Sequence, residues 1–175
     1  ETKSMQNEKG AALEPARQEE LETCYAIIDS GREFQKEQGF VQWTEDYPSR
    51  EIILDDIERG KGFVLKAEGR LAAYLCIDFD GEPAYREIKG AWRSEEPYAT
   101  VHRMAFAREF RGKGLADAVF RLAGELCLEK GVRYMRADTD YPNERMQHVL
   151  KKNGFVLCGE IFYQGGGRLA YDKML

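Results

Sequence analysis

Metal-ligating and redox chemistry have little to draw on in this chain. It holds two histidines, His102 and His148, and four cysteines, Cys24, Cys76, Cys127 and Cys158, with no C-x-x-C pair. The cysteines lie far apart, each in an otherwise apolar stretch, which predicts buried free thiols in a reducing compartment rather than disulfides or a zinc site. No metal is expected. Blocks of one charge are missing too: 26 Lys and Arg are interspersed with 31 Asp and Glu, for a net charge of −5. That pattern argues against a nucleic-acid partner and for small-molecule or protein substrates. No apolar run approaches the roughly 20 residues of a membrane span, and the start carries no signal-like apolar segment. No membrane partner and a cytoplasmic location are therefore expected. Residues 1–13, ETKSMQNEKGAAL, are polar and lack an initiating methionine; they read as a disordered tail, native or left by expression, ahead of a single domain over 14–175.

What is present is a regular succession of elements, in a chain long enough to bury roughly two thirds of its unfolded surface. From Ala16 to Phe34, Leu21, Cys24, Tyr25, Ile27 and Ile28 recur at helical spacing, with Gly31 a weak point near the end. Ser49 caps a second, short helix that presents Ile53 and Ile57 and stops at Gly60. Residues 62–67 and 70–79 read as antiparallel strands around Glu68-Gly69. Residues 80–97 have no clear period, and 98–107 is β-like again. A third helix carries Leu115, Ala118, Val119, Leu122 and Leu126 on one stripe and ends at Gly131. Residues 132–140 form a strand, Pro142-Asn143 opens a helix to about Lys152, and 155–163 with 168–175 make a hairpin around Gly165–Gly167. The order α-α-β-β-β-α-β-α-β-β predicts a mixed α/β (α+β) fold with a largely antiparallel central sheet flanked by helices. No internal repeat is visible.

The stretch EFRGKGLADAVFRLAGELC, residues 109–127, places two glycines and two cations directly before an amphipathic helix. The first N–H groups of a helix lack internal partners, and the aligned peptide dipoles put about half a positive charge there. Glycines ahead of that terminus let an anion approach the main chain, and Arg111 and Lys113 add charge. An ordinary strand-to-helix turn with solubilising cations is the competing reading. The G-x-x-x-x-G-K-[ST] loop has no match, and Asp117 occupies the third glycine's place in G-x-G-x-x-G.

A strand followed by R-G-x-G-x-A, a helix, a strand and N-x-x-M-x-x-V-L-x-K-N-G-F, over residues 16–175, resembles the GCN5-related N-acetyltransferase (GNAT) superfamily. Arg111, Gly114 and Ala116 satisfy that family's [QR]-x-x-G-x-[GA] phosphate loop; with the glycines taken as Gly112 and Gly114, Glu109 stands where Gln or Arg is usual. The resemblance implies an enzyme, an N-acetyltransferase that moves an acetyl group from acetyl-CoA to a primary amine of a small molecule or peptide by direct attack on the thioester, without metal. It puts the coenzyme A pyrophosphate on the N–H groups of Gly112, Lys113, Gly114, Leu115 and Ala116, with Arg111 beside them. The pantetheine arm would pair, like an added strand, along Met104, Ala105 and Phe106. Asn143 would cap its helix and stand near the cofactor.

Many family members carry a tyrosine acid seven residues after that Asn, where this chain has Leu150; Tyr141 or Tyr163 are the alternatives. For the base, His102, Glu82 and Asp140 are candidates. Strict alternation puts His102 on the face of Met104, although a histidine hydrogen-bonded within the sheet explains it too. Glu82 precedes a stretch with Tyr85, Trp92 and Tyr98 that reads as a substrate wall. Trp43 falls where this family builds its acceptor pocket, or is a surface aromatic. The resemblance also admits a non-catalytic acyl-CoA-binding sensor or assembly module, and a homodimer through the C-terminal hairpin.

Overall fold

A computed structural model describes residues 5–6, 10–163 and 165–175. The chain divides into two compact units, one made of residues up to Ile77 with His102–Ala123, the other of Asp78–Val101 with Gly124–Leu175.

In the first unit, β1 (Met5–Gln6) and β2 (Ala12–Pro15) precede helix α1 (Leu21–Glu37), helix α2 (Arg50–Glu58), and strands β3 (Gly62–Ala67) and β4 (Arg70–Asp78). β1–β2, β2–β3 and β3–β4 are antiparallel ladders. β2 corrects the expected tail. Ala12 pairs with Lys66 and Pro15 with Phe63, and Ala11 and Leu13 are buried, so ordered structure begins before residue 14. Residues 1–4 and 7–9 of that expected tail lie outside the described residues.

Helix α1 starts later than its apolar period suggests. Ala16 still donates to the Gly62 carbonyl as an extension of β2, and a short turn follows in which Glu20 accepts from the Arg17 N–H at 2.9 Å. Its end is later too, because Gly31 is no weak point. A Cβ there would stand 2.8 Å from the Trp43 ring and 3.0 Å from Ala105 Cβ, so only glycine permits the helix to lie this close. Helix α2 begins as expected, with Ser49 Oγ accepting from the Ile52 N–H at 3.2 Å. Cys24, Ile27 and Ile28 of α1 and Ile53 and Ile57 of α2 pack on Val64, Ala72, Tyr74 and Ala105. At about 25 cal/mol per Å² of apolar surface, burial of this face, rather than helix propensity, holds both helices down.

Strand β6 (Ala99–Phe106) and helix α3 (Leu115–Glu129) run through both units, their outer parts belonging to different ones. In the second unit, β6 pairs in parallel with β7 (Tyr134–Asp140), Ala99 opposite Met135 and Thr100 opposite Arg136. A parallel pair needs a long crossover, which α3 supplies. Helix α4 (Glu144–Lys152) leads to β8 (Val156–Tyr163) and β9 (Gly166–Met174), antiparallel to each other, with β9 antiparallel to β7.

The stretch 80–97 is more ordered than its pattern shows. It holds a 3-10 turn, Pro83–Glu87, and β5 (Lys89–Gly90), paired with Gly159 and Glu160 of β8. The expected succession of ten elements is present, with β1, β2 and β5 added. Cys24, Cys76 and Cys127 are buried free thiols as expected, whereas Cys158 is only half-buried.

Candidate functional site

In the first unit β6 gives way to a 3-10 turn, Arg108–Phe110, and then to the glycine stretch ahead of α3. Gly112 and Gly114 both take left-handed conformations, φ +74° and +73°, and no atom lies within 4 Å of where a Cβ would stand on either. The main chain is thus laid bare in front of a 15-residue helix. That open, glycine-lined approach to a helix N-terminus fits a diphosphate, as side chains at either position would not.

Arg111 is engaged with α1. Its Nη2 donates to both the carbonyl and the hydroxyl of Ser30 at 2.5 Å, and its guanidinium lies 4.2 Å over the Phe34 ring, so it ties the turn to α1. These contacts hold the turn against α1, with the guanidinium half-buried. Lys113, 5.7 Å from the Phe110 ring, is exposed.

The strand that leads into this turn is bulged. Arg103 has φ +51°, a left-handed residue in the middle of β6. The strict alternation that placed His102 on the face of Met104 therefore breaks between them. His102 is buried, Met104 and Phe106 are half-buried, and Ala105 is buried against Trp43 and Gly31. Trp43 is a core residue rather than a surface aromatic: it is 6% exposed and belongs to the α1–α2 cluster, with its main-chain N–H donating to Gln35 Oε1 at 2.9 Å.

Arg103 itself enters a buried network. Its Nε and Nη2 donate to Asp56 Oδ2 and Oδ1 at 2.9 and 2.7 Å, its Nη1 donates to Tyr47 Oη at 3.1 Å, and Tyr74 Oη donates to Asp56 Oδ2 at 2.7 Å. Burial works against the Arg103 charge, yet the Asp56 bonds hold its pKa above the ordinary arginine value. Burial, and then the charge of Asp56, push the Tyr74 phenol far above its ordinary pKa, so it remains a donor. None of these four residues stood out in the sequence. The readable signal was Asp56, an acid three residues after Ile53 on the apolar stripe of α2, which demands a buried cation.

The second unit gathers the remaining candidates. Glu82 caps the Pro83–Glu87 turn: its Oε1 accepts from the Ala84 N–H at 3.3 Å, and its own N–H donates to Tyr98 Oη at 2.9 Å. Tyr85 is 1% exposed and donates to Asp138 Oδ2 at 2.6 Å, while the Trp92 indole N–H donates to the Tyr85 carbonyl at 2.8 Å. Tyr85 packs with Trp92, Tyr98, Ile161 and Ala170 as a small core. Tyr85 is thus a core residue, while Trp92 and Tyr98 are half-buried against it. Arg136 is stacked among them, 4.2 Å from the Trp92 ring and 4.3 Å from that of Tyr98. Asn143 caps α4 as expected, its Oδ1 accepting from the Met146 N–H at 3.1 Å. Asp140 Oδ1 accepts from the Tyr141 N–H at 3.0 Å, and Leu150 is buried in its helix.

Among the described residues no cluster of His, Cys, Asp and Glu could hold a metal ion, and no helix is long and apolar enough to cross a membrane.

The family model of the GNAT acetyltransferases matches residues 21–155. A candidate ribosomal protein bS18-alanine N-acetyltransferase of Bacillus subtilis is 29% identical over 145 residues, 82% of this chain and 80% of its own. The crystal structure of a GNAT-family acetyltransferase from Streptococcus agalactiae superposes with a TM-score of 0.88 at 34% identity, over 95% of this chain and 96% of that one. A GNAT acetyltransferase from Listeria monocytogenes shares the fold at 21% identity, TM-score 0.77, over 99% of this chain and all of its own. The bared glycine turn ahead of α3, the bulged strand before it and these likenesses lead to one assignment: the chain belongs to the GNAT family and is an acetyl-CoA-dependent N-acetyltransferase.

Proposed function

We propose that the acceptor is a primary amine of a small molecule or peptide, and that the donor is held by Gly112, Lys113, Gly114, Leu115 and Ala116 at its diphosphate and by Met104, Ala105 and Phe106 along its amide arm. The observation that carries this reading is the pair of left-handed glycines with open space in front of α3. Acetyl-CoA supplies the activated acetyl group as a thioester. The main-chain N–H groups of the turn neutralise the diphosphate without a metal, aided by the helix dipole and Lys113. Main-chain groups of Met104–Phe106 bind amides as an adjoining strand would, so the apolar side chains of this tripeptide are no obstacle. An attacking amine must first lose a proton; the acceptor we favour is a ring nitrogen of His102, which is close in sequence to Met104 although the break at Arg103 removes the shared face that alternation gave it. Glu82, already capping a turn through its carboxylate, is the weaker candidate.

A peptide amine with N-terminal alanine is the acceptor to try first, since the Bacillus subtilis relative is described by that activity on ribosomal protein bS18. The buried thiols Cys24, Cys76 and Cys127 support a reducing, cytoplasmic setting. Val156, Leu157 and Phe162, exposed on β8, support a homodimer through the C-terminal hairpin.

The test is thiol release from acetyl-CoA with a panel of alanyl peptides and small amines; release with neither class would remove the acceptor reading. Replacing His102 by Ala should lower turnover by about 10² or more, the usual share of a general base. A fall of less than about threefold would make His102 structural.

A further inference from the structure

Arg103 is a charged residue in a conformation that L side chains rarely adopt, within a strand, immediately before the tripeptide read as the donor's pairing edge. Left-handed backbone at a residue other than Gly or Asn persists where its surroundings over-determine it. Here the surroundings are specific. Both oxygens of buried Asp56 receive Arg103, Tyr74 Oη donates to the same carboxylate, and Tyr47 Oη accepts from Arg103 Nη1. Asp56 is fixed on the inward face of α2 between buried Ile53 and Ile57. The parallel ladder of β6 with β7 pairs Ala99 and Thr100, and Met104–Phe106 follow the bulge in sequence.

We propose that Arg103 is a positioning residue: clamped by Asp56 and Tyr47, it holds the β6 bulge so that the main chain of Met104–Phe106 is presented to the amide arm of coenzyme A. The inference rests on the reading of Met104–Phe106 given above. It separates the two halves of the donor site, since Arg103 governs the edge that meets pantetheine and the glycine turn governs the nucleotide. A residue important only for folding would not distinguish them.

The experiment uses the full chain and calorimetric titration with two probes: coenzyme A, and 3′-phosphoadenosine 5′-diphosphate, its nucleotide half without the pantetheine arm. Arg103→Lys keeps the charge but loses the bidentate fork. Arg103→Gly takes φ +51° without strain but has no side chain to clamp. In both, the Kd for coenzyme A should rise about tenfold, the equivalent of one or two net hydrogen bonds, with the Kd for the nucleotide half within about twofold of the parent. Tyr47→Phe, the mildest change, should give the same pattern at about two- to threefold. Asp56→Asn should follow Arg103→Lys where it folds, as judged by circular dichroism. Equal weakening of both probes, or no weakening of either, overturns the proposal. Gly114→Asp is the control: it should weaken both probes, and if it weakens neither while Arg103→Lys weakens coenzyme A alone, the glycine-turn reading fails and the positioning role stands.

Discussion

The turn Arg111–Ala116 and the stretch Glu82–Tyr98 are both irregular, glycine- or aromatic-rich and charged, yet they are built on opposite terms. The turn leaves its main chain bare: two left-handed glycines face open space, and its arginine is turned back onto Ser30 and Phe34. In the aromatic stretch the rings turn inward, Tyr85 buried and Trp92 and Tyr98 half-buried, while the charged residues between them stay exposed. Tyr85 is bonded to Asp138, Trp92 to the Tyr85 carbonyl and Tyr98 to the Glu82 N–H, with Arg136 stacked between rings. A site that must receive a ligand keeps polar main chain accessible, whereas these three rings spend their polar groups on neighbouring protein groups. Composition does not separate the two; what surrounds the glycines of the one and bonds the rings of the other does.

Several measurements would break or sharpen that contrast. The largest effect is expected at Asp172 in the second unit. It is fully buried and accepts from Arg93 Nε at 2.6 Å, from the Arg93 N–H at 2.9 Å and from Tyr134 Oη at 2.7 Å. Asp172→Ala should destabilise the protein by about 3 kcal/mol in urea unfolding, because the partners lose their acceptor in the interior. Tyr85→Phe removes a hydrogen bond to a buried carboxylate and should destabilise by about 2 kcal/mol. If Tyr85 is packing, the KM for the amine should change little; a KM rise without loss of stability would return the stretch to a substrate wall.

The smallest effect is on pH. Burial works to raise the Asp172 pKa, but hydrogen bonds from Tyr134, Arg93 and Cys158 overcome it and leave it below the ordinary 3.8. A folded value below the unfolded one contributes stability that is fully present above the unfolded pKa and is lost as pH falls through the folded value. Unfolding midpoints should therefore be flat above about pH 5 and fall in acid below about pH 4, with the fall reduced in Asp172→Ala.

Much of the frame was legible because its causes are local. Ser49 and Asn143 cap their helices as their side chains dictate, and the Glu68-Gly69 turn has both residues left-handed, φ +55° and +75°, as a two-residue hairpin requires. What was not legible depends on residues far apart in sequence. β2 exists because Leu13 finds Leu65, and β5 because Lys89 finds Glu160, pairings that no short-range period reveals. Arg103 and Asp56 are 47 positions apart, and alternation through β6 fails at the one residue whose backbone that pair helps to hold. The glycine pair ahead of α3 is visible in the sequence, whereas the stacking of Arg111 on Phe34 depends on a helix from a distant part of the chain.

The central claim is that the bared turn at Gly112 and Gly114 receives the donor's diphosphate, and a thermal-shift titration of the parent and Gly114→Asp with coenzyme A tests it most directly. Aspartate tolerates the left-handed backbone better than most residues, so the variant should fold while placing a carboxylate in front of α3. Ligand binding to the native state raises stability by RT ln(1 + [L]/Kd). The account predicts a concentration-dependent rise in Tm for the parent and none for Gly114→Asp; an undiminished rise in the variant would contradict it.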